Sequence, residues 1–193
     1  NLLTANHIDE SKPPQQQPTS LAFANIVDIN DTTRKSYSDL TGRFPNRSDT
    51  GNLYVLVLYS YDDNAILVEA LKNRSDSEQL AAYQRVIERA NKGTTLQTHW
   101  MDNEASKAVK ELLRKQYNMD YQLVPPHIHR RNAAERAIRT FKNHFIAGLC
   151  SAAGDFPVRL WDRLLRQAEI TLNLMRTSRV NPSISASCRS RDL

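Results

Sequence analysis

Cysteine is scarce: the 193 residues hold only Cys150 and Cys188. Two thiols this far apart form neither a zinc cluster nor a disulfide framework, and they suit a reducing compartment. Long apolar runs are also missing. No stretch approaches the length needed to span a bilayer, so no membrane partner is expected. No secretory leader is visible, and the chain starts at Asn1 rather than Met, as a piece of a longer polypeptide would. Acid is locally scarce. Between His127 and His144, five cations (Arg130, Arg131, Arg136, Arg139, Lys142) surround one carboxylate, Glu135. A solvated helix normally intersperses its charges.

The rest is ordinary for a globular chain, with 40% apolar and 24% charged residues, which suggests one domain with tails and a sizeable core. A net charge of +5 favours an anionic partner such as nucleic acid.

Residues 1–22 are rich in Pro, Gln, Ser and Thr and read as a linker, with residues 23–35 unassigned. Ser36–Leu40 alternates like a short strand. TGRFPNRSDTGN is a loop, and Leu53–Tyr59 is a continuous apolar run typical of a strand buried on both faces. Asp62-Asp63-Asn64 turns the chain into a further strand, Ala65–Leu71. Ser75 and Glu78 form a capping-box pattern at the head of a helix ending near Lys92-Gly93. Leu96–Met101 reads as a strand ending at Asp102, Ser106–Tyr117 as a helix, and Tyr121–Val124 as a strand stopped by Pro125-Pro126. Asn132–Leu149 is a long helix with Ala134, Ile138, Phe141, Phe145 and Leu149 inward. In the last helix, Leu160–Met175, the inward set is Leu164, Leu165, Ala168, Leu172 and Met175, with Trp161 anchoring its start. The segment from Asn181 onward reads as loose. Three strands followed by alternating helices and strands give an α/β domain with a mixed sheet and helices on its faces.

Asp39 and Asp102 stand on strands, and ligand sites in open sheets gather at strand ends where the order switches. With Glu135 from a helix they would make an oxygen-rich cage suited to a hard divalent cation. Each acid also has a plainer reading: a turn at Asp39, a helix-capping turn at Asp102-Asn103, a surface ion pair at Glu135. Spacing alone does not select these three.

Four segments in order do. SDLTGRFPNRSDTGNLYVLVLYSYDDNAILVEALKNRS, MDNEAS, RRNAAERAIRTFKNHF and NLMRTSRVNPSISA resemble, across about Ser36–Ala186, the integrase catalytic core of copia-type retroelements. The resemblance implies a ribonuclease H-like fold with a five-stranded mixed sheet, its first three strands antiparallel, flanked by helices. It further implies a D,D,E triad at Asp39, Asp102 and Glu135 that ligates two Mg²⁺ or Mn²⁺ ions, an in-line attack on a phosphodiester by water or a DNA 3′-hydroxyl, and processing and joining of element DNA ends. Asn103 and Asn132 match as substrate contacts, and Arg130, Arg131, Arg136, Arg139 and Lys142 are read as phosphate contacts. Glu135, Arg139 and Lys142 share one helix face.

On this reading residues 1–30 are a linker, 31–186 the integrase core and 187–193 a tail. The partners are DNA and further copies of the chain, and the compartment is the nucleus of a eukaryotic host. Two departures stand out: the segment between Asp102 and Glu135 is shorter than usual in the family, and Glu104 replaces its usual Gly. The alternative is an inactive or truncated remnant acting at most as a nucleic-acid-binding module; a protein–protein module is disfavoured by the basic helix.

Overall fold

The structure, a computed structural model, describes residues 34–102, 105–124 and 133–189. A hairpin pair opens it: β1 (Lys35–Leu40), β2 (Tyr54–Ser60) and β3 (Ala65–Leu71), each antiparallel to the next. Helix α1 (Asp76–Asn91) leads to β4 (Thr98–Asp102), which pairs parallel with β1. α2 (Lys107–Glu111) then continues into a π-helical stretch, Leu112–Gln116, ahead of β5 (Asp120–Val124), parallel to β4. The sheet order is β3-β2-β1-β4-β5. α3 (Ala133–Cys150), a 3₁₀ segment (Val158–Leu164), α4 (Leu165–Leu174) and the short α5 (Ala186–Arg189) complete the chain.

β2 explains the two layers. It is apolar at nearly every position, and alternation sends its side chains to opposite faces. Leu56 and Leu58 join the core with Tyr83, Val86 and Ile87 of α1 and Val109 of α2. Val55, Val57 and Tyr59 join the other with Phe141 and Phe145 of α3, Trp161, and Leu165 and Leu172 of α4. Trp161 is buried, stacks on Phe44 with centroids 4.5 Å apart and meets Phe145 edge-on at 6.4 Å. Its indole N–H donates to the Asn46 carbonyl at 2.9 Å, which ties the loop after β1 to the last helices.

Three expectations change. The capping box is half formed: Ser75 Oγ accepts the Glu78 N–H, but the Glu78 carboxylate accepts the Lys72 N–H instead of returning to Ser75. Met175 lies outside the core at 66% exposure, while Glu169 and Asn173 are buried. The reason is the sheet edge, where β3 presents unpaired backbone groups. Asn173 accepts from the Ile66 N–H at 2.9 Å and donates to the Ile66 carbonyl at 2.8 Å. Glu169 accepts from the Val68 N–H at 2.8 Å, and Arg89 donates to the Val68 carbonyl at 2.7 Å. α4 therefore closes the edge with side chains. Lastly, the segment from Asn181 is tied down as far as Ser187: Thr177 bridges Ser185, and Ala186 and Ser187 are buried.

Candidate active site

The parallel register sets Lys35, Ser36 and Tyr37 opposite Thr98, His99 and Trp100. Carried on by two residues, it sets Asp39 beside Asp102, both at C-terminal strand ends. Tyr37 and Trp100 stack at 5.2 Å. By the two-residue alternation of strands, Asp39 and Asp102 leave the sheet on that same side. Both line one cleft of about 320 Å³ with Leu40, Arg74, Asp76, Gln79, Tyr83 and Ala105.

Asp39 is the electrostatic centre of this cleft. Burial pushes its carboxyl up to about 6, and the charges of Asp102 and Glu135 push in the same direction. The Leu40 N–H, which donates to Asp39 Oδ1 at 2.7 Å, and the Arg74 guanidinium oppose the rise. Crowded acids that hold one another's protons favour a cation among them. The donors are oxygens, as Mg²⁺ or Mn²⁺ prefer, so the residues present fit such ions. Among the described residues, no three His, Cys, Asp or Glu side chains form a ready-made ligand set. Glu135 acts on the Asp39 charge from the first turn of α3 without lining the cleft.

The other candidates separate. Lys142 lines an apolar groove of about 310 Å³ with Phe44, Ile146 and Trp161. Arg139 is exposed, and Arg136 lines a third hollow. Asn103, Arg130, Arg131 and Asn132 lie outside the described residues, as does Glu104.

Sequence reasoning missed the wall of the cleft. Asp76 and Gln79 come from the start of α1 and Arg74 from the turn just before it, where it lies over the Tyr54 ring at 5.1 Å. Nothing in NRSDSE signals that the helix begins at the strand ends. Also missed was a buried polar chain behind the cleft. His99 bonds Ser36 Oγ through Nδ1 and Ser38 Oγ through Nε2, each at 2.7 Å, and Ser38 Oγ bonds the Tyr83 hydroxyl at 2.8 Å. Complete burial pushes the His99 pKa down to about 3, so the ring is neutral. The serines alternating along β1 and the lone His on β4 were the available signal.

No protein-family model matches the chain, and no curated protein matches it. Solved structures do. A chain of the simian T-cell lymphotropic virus intasome, in complex with the PP2A regulatory subunit B56 gamma, aligns at TM-score 0.63 and 15% identity over 83% of this chain. This chain spans 55% of the length of that one. The HTLV-2 integrase catalytic core in complex with magnesium, in its trimeric form, aligns at TM-score 0.59 and 18% identity, covering 82% of this chain and 96% of that one. The catalytic core of BIV integrase aligns at 0.54 and 14%, covering 79% and 90%. The chain thus carries the ribonuclease H-like fold of retroviral integrase catalytic cores, a five-stranded mixed sheet flanked by helices.

Proposed function

We propose that the chain is the catalytic core of a DNA-integrating enzyme of the copia-type retroelement class, cutting and joining phosphodiesters with divalent metal. The observation that carries the proposal is that Asp39 and Asp102, near the C-terminal ends of adjacent parallel strands, line one cleft, with Glu135 close enough to act on the Asp39 charge. The shared fold supports it, and so do the magnesium and the dimeric and trimeric forms described for the HTLV-2 core.

On this reading Asp39, Asp102 and Glu135 hold two Mg²⁺ or Mn²⁺ ions, which supply charge for the attacking and leaving oxygens of a phosphoryl displacement. Arg74 contributes positive charge at the cleft wall. Arg139 and Lys142, with Arg130, Arg131, Asn103 and Asn132, track the DNA. Self-association, action in a eukaryotic nucleus and the division into a linker (1–30), core (31–186) and tail (187–193) belong to the same proposal.

The test is end-labelled duplex DNA incubated with the protein and Mn²⁺ or Mg²⁺. Cutting or joining that is lost on chelation and in Glu135→Gln supports the enzyme. A second reading, an inactive remnant that binds nucleic acid, draws on the lack of a ready-made three-ligand set among the described residues. Metal-independent binding with no cutting by the unaltered protein would favour it.

A further inference from the structure

Tyr59 of β2, α3 and the segment after α4 enclose the third hollow, of about 180 Å³. Its lining is Tyr59, Ala133, Arg136, Ala137, Thr140, Arg176 and Arg179. Three guanidinium groups converge there, and among the described residues no acidic side chain lines it. Ala133 and Ala137 carry only methyl groups, which leaves depth between α3 and the segment after α4.

Two of the arginines are held in place. Arg176 donates from Nε to the Asn64 carbonyl at 2.7 Å and from Nη2 to Asn64 Oδ1 at 2.5 Å, and lies over the Tyr59 ring at 5.8 Å. Arg179 donates to the Tyr59 hydroxyl from Nε at 3.3 Å and Nη2 at 3.0 Å, and lies over the Tyr61 ring at 4.4 Å. The Tyr59 hydroxyl in turn donates to Asn64 Oδ1 at 3.0 Å. Each guanidinium has five N–H donors, so both keep donors beyond those used on neutral partners. Arg136 enters from α3, and among the described residues no carboxylate pairs with any of the three. Burial pushes the Arg176 pKa below its ordinary value, and the Arg179 charge adds to that while Tyr59 opposes it. Pre-set forks of this kind match the oxygens of a phosphate.

We propose that the hollow formed by Arg136, Arg176, Arg179, Thr140 and Tyr59 binds one backbone phosphate of the DNA. Arg136 follows Glu135, so the hollow faces about 100° around the helix from the third acid of the triad. DNA lying across the carboxylate cleft would there be gripped on the flank of α3, away from the reacting bond. The inference rests on the reading that the chain handles DNA, but the carboxylates play no part in it.

The experiment uses fluorescein-labelled duplex DNA in EDTA, titrated over a salt series with the unaltered protein, Arg136→Gln, Arg179→Gln and the double variant. Arg136 and Arg179 are exposed, so these changes spare the core, and thermal melts check folding. The expected result is affinity reduced about tenfold in the double variant, with the slope of log K against log salt shallower by about 1. Unchanged affinity and slope in a folded double variant would overturn the site. A melting temperature raised by inorganic phosphate in the unaltered protein only, with DNA binding unchanged, would overturn the DNA assignment and make this a site for a small phosphate. Weakened DNA binding in the arginine variants, with cutting intact in Glu135→Gln, would sink the proposed enzyme and leave the hollow standing.

Discussion

Burial holds both Asp39 and His99 toward their neutral forms, and because one is an acid and the other a base they set opposite pH dependences. The Asp39 carboxyl is raised from 3.8 to about 6, so the folded metal-free protein binds this proton more tightly than the unfolded chain. Its burden on stability grows as pH rises through 4 to 6 and is complete above. Asp39→Asn should therefore stabilise the metal-free protein by about 1–2 kcal/mol at pH 7.5, after allowance for solvent screening, with no gain below pH 4. Urea unfolding in EDTA reads this directly, and equal stability at both pH values would contradict it. His99 works the other way. Its pKa falls from 6.5 to about 3, so stability is full above pH 6.5 and is lost as pH falls toward 3. His99→Asn should cost about 2–4 kcal/mol at pH 7 by breaking the Ser36–His99–Ser38 chain, yet flatten the acid slope between pH 6.5 and 4. A parallel slope in the variant would place the acid sensitivity elsewhere. Neither property was legible beforehand. Asp39 was named from its motif, but its raised pKa depends on how deeply the fold buries it. His99 read as part of a strand, and the serines that partner both its ring nitrogens lie about sixty residues away on β1, where only their alternation hinted at the chain.

At the scale of elements, the strands and helices followed from periodicity because burial imposed it. β2 is apolar at nearly every position since it feeds two cores, and α3 carries Phe141 and Phe145 four residues apart on its inward face. α4 broke the rule. Its inward face holds Glu169 and Asn173, whose purpose is set by the β3 edge about a hundred residues earlier in sequence. A hydrophobic stripe therefore chose Met175 wrongly. Arg89 of α1 completes the arrangement by pairing with Glu69 at 2.9 Å and Glu169 at 3.0 Å, so helices on opposite faces meet around the edge strand. Arg166 also pairs with Glu169. Asn173→Ala removes a donor and an acceptor at Ile66, and should destabilise by about 2–3 kcal/mol. Amide exchange at Ile66 should quicken more than at Tyr83 in the other core. Uniform quickening would mean that Asn173 supports the fold globally and the edge only incidentally. Trp161→Ala should cost about 3–5 kcal/mol, since the indole joins Phe44, Phe145 and the Asn46 carbonyl.

Across the whole molecule, topology does what no motif could. The switch from antiparallel to parallel pairing at β1 brings two strand ends together, and Asp39 and Asp102 line one cleft there although 63 residues separate them. The resemblance selected these acids. The sheet order supplies the physical reason for their meeting, and α3 delivers Glu135 to the same end. Arg74 and the three-arginine hollow were hidden because their residues come from distant segments: the turn before α1, α3 and the chain after α4.

The central claim is that Asp39, Asp102 and Glu135 act together through divalent ions on DNA. The most direct measurement is Mn²⁺-dependent cutting of an end-labelled duplex by the unaltered protein, Asp39→Asn, Asp102→Asn and Glu135→Gln, with the folding of each verified by thermal melt. The account predicts cutting that chelation abolishes and that each substitution lowers by at least about a hundredfold, the scale expected when a metal's charge stabilisation is lost. Cutting that persists in a folded Glu135→Gln, or survives chelation, would contradict it.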